Sequence, residues 1–441
     1  MIFMDSLWMD VPLPAFPTLE GDHRTDVLVI GGGMAGILCA YQLKKAGVDC
    51  LLIESDRVGQ GVTGRTTAKV TVQHGLFAQD LLRRFGPEKG RLYLEANQAA
   101  LGQYRKLAQA ISCDFETKDS FVYSLDSPEK LDRELKALEA LGAKGELVKD
   151  LPLPFSTAGA VCFRDQAQFH PLRFLAGLLP GLPLYEHTAA RAFHGKAVLT
   201  DRGSIRAEKI IVATHFPILN KHGSYFLKLY QHRSYVLALE DAPPVGGMYV
   251  DEQETGLSFR DYGDLLFLGG GDHRTGKEGG GWPELKAFAR VHYPDARVRA
   301  QWATQDCMSL DAVPYIGPYS RRTPDLYVAA GFNKWGMTSA MVSAMVLADL
   351  VQGRKNPYAP VFSPSRSMLH GQLAANGLEA VMNLLRPTAP RCPHMGCALR
   401  WNPREHTWDC PCHGSRFTDE GKLLENPATG DLKHTKSSRG Q

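Results

Sequence analysis

The chain has 441 residues, 44% hydrophobic and 22% charged, with a formal net charge of +3. That length suits roughly two to three domains, the composition is that of a folded globular protein, and so small a charge, with no dense Lys/Arg stripe, argues against a nucleic-acid binder. The opening MIFMDSLWMDVPLP lacks the regions of a secretion signal, no apolar run approaches the ~18 residues of a membrane span, and the expected location is cytoplasmic.

Residues 26–31, DVLVIG, form an apolar β-branched run that ends in glycines, the pattern of a buried parallel strand. GMAGILCAYQLKKAG follows with apolar residues at helical spacing until Gly47 stops it, and CLLIES at 50–55 is a second strand. Between the first strand and the helix lies Gly31-Gly32-Gly33-Met34-Ala35-Gly36, with Glu54 at the end of the next strand. Gly31 permits the tight turn, Gly33 lets the backbone approach a pyrophosphate, and Gly36 lets helix and strand pack closely. The helix N-terminus then faces the phosphates and Glu54 accepts from ribose hydroxyls, which predicts a bound dinucleotide, FAD or NAD.

Residues 80–150 are rich in helix formers, KIIVATH at 209–215 is another buried strand, and 230–300 alternates short strands with turns. LYVAAG at 326–331 is again a strand, the helix MTSAMVSAMVLADLVQG follows it, and PYAPVFSPSR reads as a boundary. The segment between Ser365 and Cys392 is apolar at helical spacing. Strands of one nucleotide-binding sheet are thus scattered over the first 350 residues, so its domain is discontinuous. We assign 20–80, 155–215 and 300–352 to that domain, 81–154 and 216–299 to a substrate or cap domain, and 353–390 to a linker with a helix. Residues 391–432 form a small module and 433–441 a tail. The fold class is α/β (α+β overall), Rossmann-like with an inserted mixed β-sheet domain and a small C-terminal β module. Gly269-Gly270-Gly271 is the only candidate for a second nucleotide motif. Arg274 stands where its third glycine should be, so we read a glycine-rich turn and expect no tightly bound NAD(P).

Of the nine cysteines, Cys39, Cys50, Cys113, Cys162 and Cys307 are scattered and read as reduced, buried thiols. Cys392, Cys397, Cys410 and Cys412 fall close together, interleaved with histidines, which points to a metal. Cys392-x-His394 and Cys410-x-x-His413 each offer one thiolate and one imidazole, the donors a Rieske [2Fe–2S] centre needs. Zinc is the competing reading, since Cys/His loops at short spacing often hold it. His406, between the loops, reads as a solvated side chain.

Four stretches resemble the D-amino-acid oxidase-like superfamily of FAD-dependent oxidoreductases. The first is the fingerprint, and the second is Gly64-Arg65-Thr66-Thr67-Ala68-Lys69, where the family contacts the pyrophosphate and runs beside the flavin ring. The third is Val212-Ala213-Thr214, near the adenosine half. The fourth is the stretch from Asp311 to Gly317 followed by Gly331-Phe332-Asn333-Lys334-Trp335-Gly336-Met337-Thr338, at the flavin's pyrimidine side. A helix N-terminus there would stabilise the negative charge of reduced flavin. Residues 391–432 resemble the cluster-binding half of Rieske proteins of the cytochrome bc type. This implies Cys392, His394, Cys410 and His413 as ligands, a Cys397–Cys412 disulfide, and Ser415 near a bridging sulfide. The β-strands that usually precede the first loop as a base sheet are not apparent, and ~45 residues are few for an independent core.

Together these features imply an FAD-dependent dehydrogenase that oxidises a small amine or amino acid by hydride transfer to flavin. Single electrons would leave through the cluster to a redox protein or a quinone-type acceptor. The alternative is an electron-carrier or redox-sensing protein reduced by a partner, without its own substrate. No 2-His-1-carboxylate site is apparent, which counts against an oxygenase partner. Tyr235, Arg260, Tyr262 and His273 lie in strands of the substrate domain. Arg260, Tyr262 and Lys334 are the candidate catalytic residues, Lys334 because the resemblance sets it at the flavin's pyrimidine edge.

Overall fold

Strand Gly21–Ile30 ends in four buried residues and strand Cys50–Ile53 is buried throughout, so both must be covered on two faces. Val27 and Val29 enter one apolar core while Leu28 and Ile30 enter another, as the period-2 alternation of a strand requires. These strands lie at the centre of an eight-stranded sheet of order Tyr315–Ser320, Thr323–Ala330, Gly203–Val212, Gly21–Ile30, Cys50–Ile53, Leu184–Tyr185, with a hairpin at 192–199 on its flank. The pairings of Gly21–Ile30 with Cys50–Ile53 and with Gly203–Val212 are parallel. Helices Met34–Lys45 and Gly336–Val351 pack together in the core on one face. The computed structural model describes residues 5–387 and 390–433, so the tail assigned to 433–441 lies, from 434 onward, outside the described residues.

A second sheet of nine strands is built around Arg297–Ser309, Leu229–Glu240, Leu265–Arg274 and Ser258–Tyr262, which pair antiparallel in that order. Strands Gly159–Gln168 and Arg297–Ser309 belong to this sheet, whereas the division by sequence put 155–215 and 300–352 with the nucleotide-binding pieces. Alternating strands of either sheet look alike in sequence, and only the pairing partner, more than 50 residues away between Leu229–Glu240 and Arg297–Ser309, assigns them.

The C-terminal module is a four-stranded antiparallel sheet, Arg400–Asn402, Thr407–Asp409, Arg416–Thr418 and Leu423–Glu425, of three residues each. The seven buried members of its apolar cluster are Cys392, Cys397, Leu399, Cys410, Cys412, Phe417 and Ala428, so most of its core is the cysteine site itself. Such a unit is too small to stand on hydrophobic burial alone.

What holds it is an ion network shared with the second sheet. Arg233, on Leu229–Glu240, is buried and donates to both carboxylate oxygens of Glu405 and, at 3.2 Å, to Glu425. Arg416 meets the same two carboxylates and Asp409, and the Tyr235 hydroxyl donates to Glu405 at 3.1 Å. Burial alone would favour the neutral acid, but Arg233 and Arg416 draw the Glu405 carboxyl down to about 2. Its folded value lies below its ordinary 4.5, so it stabilises fully above that pH and ceases to as pH falls toward 2. Around the network, side chains of the flanking sheet donate to backbone carbonyls of the module. Arg274 reaches Pro411 and Cys412, Gln231 reaches His413, and Gln305 reaches Gly414. Gly414, at φ +81, has no room for a side chain, because a Cβ would lie 2.7 Å from that of Gln231.

Arg233→Met leaves two carboxylates sharing Arg416. Breaking a buried pair from one side costs about 3–5 kcal/mol, toward the lower end here because the Glu425 side chain is 27% exposed. Urea unfolding should show that loss, and limited proteolysis should cut between the flavoprotein and the module. Unchanged stability and protection would show that the network does not anchor the module.

Candidate functional site

The turn from Ile30 into helix Met34–Lys45 opens onto a cavity of ≈ 1960 Å³. Gly33 offers this helix no side-chain cap, the Thr63 hydroxyl accepts from its first N–H, Met34 N, at 2.9 Å, and Gly33 and Ala35 line the cavity. Gly36 does not line it. A Cβ there would sit 1.8 Å from the Gly31 carbonyl oxygen, so its role is the close packing of helix on strand. Glu54 lines the cavity, accepts from Gly32 N at 2.6 Å, and through its other oxygen accepts from Asp56 N and Ser55 Oγ. A carboxylate has about four lone-pair sites, which leaves capacity for a ribose hydroxyl. The cavity exceeds the ~300–1,000 Å³ of ordinary ligand sites, so its size suits a dinucleotide and a substrate together.

Gly31, Gly33, Glu54, Arg65, Thr66, Ala213, Thr214, Lys334, Gly336 and Met337 all line this cavity. Gly64, Gly317, Gly331 and Thr338 lie outside the lining, and Thr338 instead bonds His74 at 2.9 Å. The N-terminus of helix Gly336–Val351, uncapped by any side chain, reaches the cavity at Trp335 and Gly336. Lys334 pairs with Asp272. Burial opposes its charge, but Asp272 and Asp306 overcome that and raise its pKa.

Arg260 and Tyr262 need correction as substrate contacts, because neither lines the cavity. Arg260 is fully buried, donates to the Thr67 carbonyl and lies 5.3 Å from the Phe267 ring centre. Tyr262 donates to Asp114 at 2.6 Å. An arginine and a tyrosine on a β-strand can face either side of the sheet, and these two turn into the packing behind the site. Tyr235 and His273 bond each other at 3.0 Å beside Glu405, at the module interface. His406 is exposed.

The residue in front of Arg260 is Lys69. It lines the cavity, and its ammonium bonds hydroxyls of Thr67 at 3.2 Å and Ser258 at 3.5 Å. Burial, and then Arg260, lower its pKa to about 7. Asp306 lines the same wall and burial pushes it up to about 6. The sequence singles out neither as a site residue, although Lys69 closes the Gly64–Lys69 motif. Asp306 carries no local signal.

At the C-terminal loops, His394 Nδ1 and His413 Nδ1 face each other at 3.2 Å. The other ring nitrogens are committed elsewhere, His394 Nε2 to Asn220 Oδ1 at 2.8 Å and His413 Nε2 to the Phe226 carbonyl at 2.9 Å. Those oxygens only accept, so each Nε2 carries the proton and each Nδ1 a lone pair. Burial lowers His394 to about 3 and His413 to about 4, so both rings are neutral. Two opposed lone pairs repel each other unless a cation lies between them, and an iron bound by both imidazoles would supply it. Cys392 and Cys410 are buried beside them and in contact, and the Ser415 hydroxyl reaches the Cys392 sulfur. These two would supply the thiolates that the second iron of such a centre needs.

The disulfide expected between Cys397 and Cys412 is not present. Both are free thiols, their sulfurs grouped with that of Cys410 within 4.8 Å of one another. Oxidation would have to draw the two sulfurs together to the ~2.05 Å of a disulfide. This three-sulfur group leaves out the imidazoles, so the opposed rings define the ligand set better than sulfur proximity does.

A Rossmann-like sheet with an open dinucleotide cradle, together with a two-imidazole, two-thiolate centre, defines a flavoprotein oxidoreductase that carries an iron–sulfur cluster. Residues 26–350 match the family described as FAD dependent oxidoreductase (DAO), and residues 382–436 match the Rieske [2Fe-2S] domain. The chain belongs to the FAD-dependent oxidoreductase family, and its cofactors are FAD and a [2Fe–2S] cluster. The Bacillus subtilis protein YhfW, whose name describes it as a Rieske 2Fe-2S iron-sulfur protein, is 35% identical, covering 96% of this chain and 95% of its own. Among solved structures, glycine oxidase from Geobacillus kaustophilus (TM-score 0.65, 19% identity) covers 78% of this chain and all of its own. L-proline dehydrogenase from P. horikoshii (0.65, 17%) covers 78% and 98%. Both share the fold. Among the described residues no helix is long and apolar enough to cross a membrane.

Protein purified without oxygen should carry flavin absorbance and about two irons per chain. His413→Cys should change the reduced-cluster EPR spectrum and leave FAD bound. Zinc in place of iron would remove the Rieske assignment.

Proposed function

We propose that the protein is a dehydrogenase of a small amino acid or amine whose electrons leave through the Rieske centre to an external acceptor. One observation carries this reading. A single cavity is lined at one end by the dinucleotide fingerprint, in its wall by Lys69, Asp272, Asp306 and Lys334, and elsewhere by Glu425 and Asn426 of the module. FAD, when bound, takes up a hydride's two electrons, and a [2Fe–2S] centre passes electrons singly.

Lys69 is the residue for a substrate carboxylate, because its partners are neutral hydroxyls whereas Lys334 already holds Asp272. Asp306 is the residue for the amine. An ammonium must lose a proton before its C–H bond can yield a hydride, and a carboxylate near 6 accepts that proton close to neutrality. The names of glycine oxidase and L-proline dehydrogenase support an amino acid as the substrate class. The acceptor is a redox protein or a quinone-type molecule.

The test is an anaerobic screen of amino acids and amines for flavin bleaching, followed by the reduced-cluster EPR signal. A flavin that no amine bleaches but a reductase does would sink the proposal. For a substrate that works, Lys69→Met removes a charge-assisted hydrogen bond of about 1.5–3 kcal/mol and should raise KM by roughly 10–100-fold. The wild-type KM should rise with pH through about 7, as Lys69 loses its proton, and the variant's should not.

A further inference from the structure

Helix Gly371–Leu385 is built inside out. Its polar side chains Asn376 and Asn383 are buried against the protein, while Leu378, Val381, Met382 and Leu385 are 62, 53, 57 and 77% exposed. The spacing i, i+3, i+4, i+7 makes these four one continuous apolar stripe, the face a globular protein ordinarily turns inward. The polar side is anchored. Asn376 accepts from Arg274, and Glu379 pairs with Lys277 at 2.7 Å. The outward stripe is thus a fixed feature of the fold.

Its surroundings are cationic. Arg386 follows the stripe and is exposed, and Arg391 donates, among the described residues, to backbone carbonyls at the helix end and at Gly396. Lys221, next to the Asn220 that holds His394, is exposed as well. From 367 to 391 the only carboxylate is Glu379, which faces the other way onto Lys277. An apolar stripe that runs into Arg386 and Arg391, with an exposed lysine beside the cluster loop, complements an anionic lipid surface. A second copy of the chain suits it less. A 15-residue helix is about 22 Å long and 10 Å wide, a small footprint beside the ~800 Å² per partner of a stable protein interface.

We propose that helix Gly371–Leu385 lies in the interface of an anionic bilayer and docks the protein there as a peripheral enzyme. The helix is bonded to the cluster loops, Ala398 N donating to the Asn383 carbonyl at 3.0 Å, so the docked face brings the half-exposed Met395, beside His394, to the lipid surface.

The test is flotation of the full-length holoprotein with vesicles of phosphatidylcholine alone or mixed with phosphatidylglycerol, alongside sedimentation velocity without lipid. Wild type should float with the mixed vesicles, less so as salt rises, and poorly with phosphatidylcholine alone. Leu378→Glu/Met382→Glu should weaken that binding by at least about tenfold, with flavin and iron contents unchanged because both side chains are already in solvent. Wild type that stays in the aqueous fraction, or a variant that floats equally well, would overturn the proposal. So would a wild-type dimer that the double substitution splits, since the stripe would then be a protein–protein surface.

Discussion

The two imidazoles that meet at 3.2 Å impose the strictest condition on this structure. Each is turned by an oxygen that only accepts, Asn220 Oδ1 for one and the Phe226 carbonyl for the other, and both oxygens belong to the flavoprotein. The ligand geometry of the small module is therefore completed by the large domain. The dependence runs the other way as well. Four of the seven buried apolar members of the module are cysteines, so removing the metal site would remove most of the core. Module and flavoprotein thus depend on one another, and the Arg233–Glu405–Arg416–Glu425 network makes the joint between them an ion-paired one.

Within the cavity the same logic sorts the charges. Lys334 keeps its proton because Asp272 stands against it, whereas Lys69 has Arg260 behind it and only hydroxyls as partners. Two lysines of one wall thus differ in what they can offer a ligand. Arg260, although outside the lining, acts on the site by its field from behind.

Much of this was legible in the sequence, where the information is local. The glycine fingerprint and Glu54 lie within one βαβ unit, and Cys392, His394, Cys410 and His413 lie on two short loops, so spacing groups them, and the resemblance to Rieske proteins singles out the four as ligands. The partners that make those residues work are remote. Asn220 is 174 positions from His394 and Phe226 187 from His413, and no periodicity links them. Strand Arg297–Ser309 was put in the wrong layer because alternation reports a strand and not its sheet. Arg260 and Tyr262 were chosen as polar residues on a strand of the right domain, but a strand's two faces are equivalent until the packing is known. The strands that usually precede the first loop of such a module were not apparent, and a helix, Gly371–Leu385, stands there; the module's sheet lies after that loop, in strands of three residues too short to announce themselves singly.

The carbonyls of Pro411, Cys412, His413 and Gly414 are each gripped by a side chain of the larger domain. A loop gripped at four successive carbonyls is tied to the sheet behind it along its length, so where Cys410 and His413 stand relative to the cavity is set by side chains of the larger domain and not by the module's own few strands.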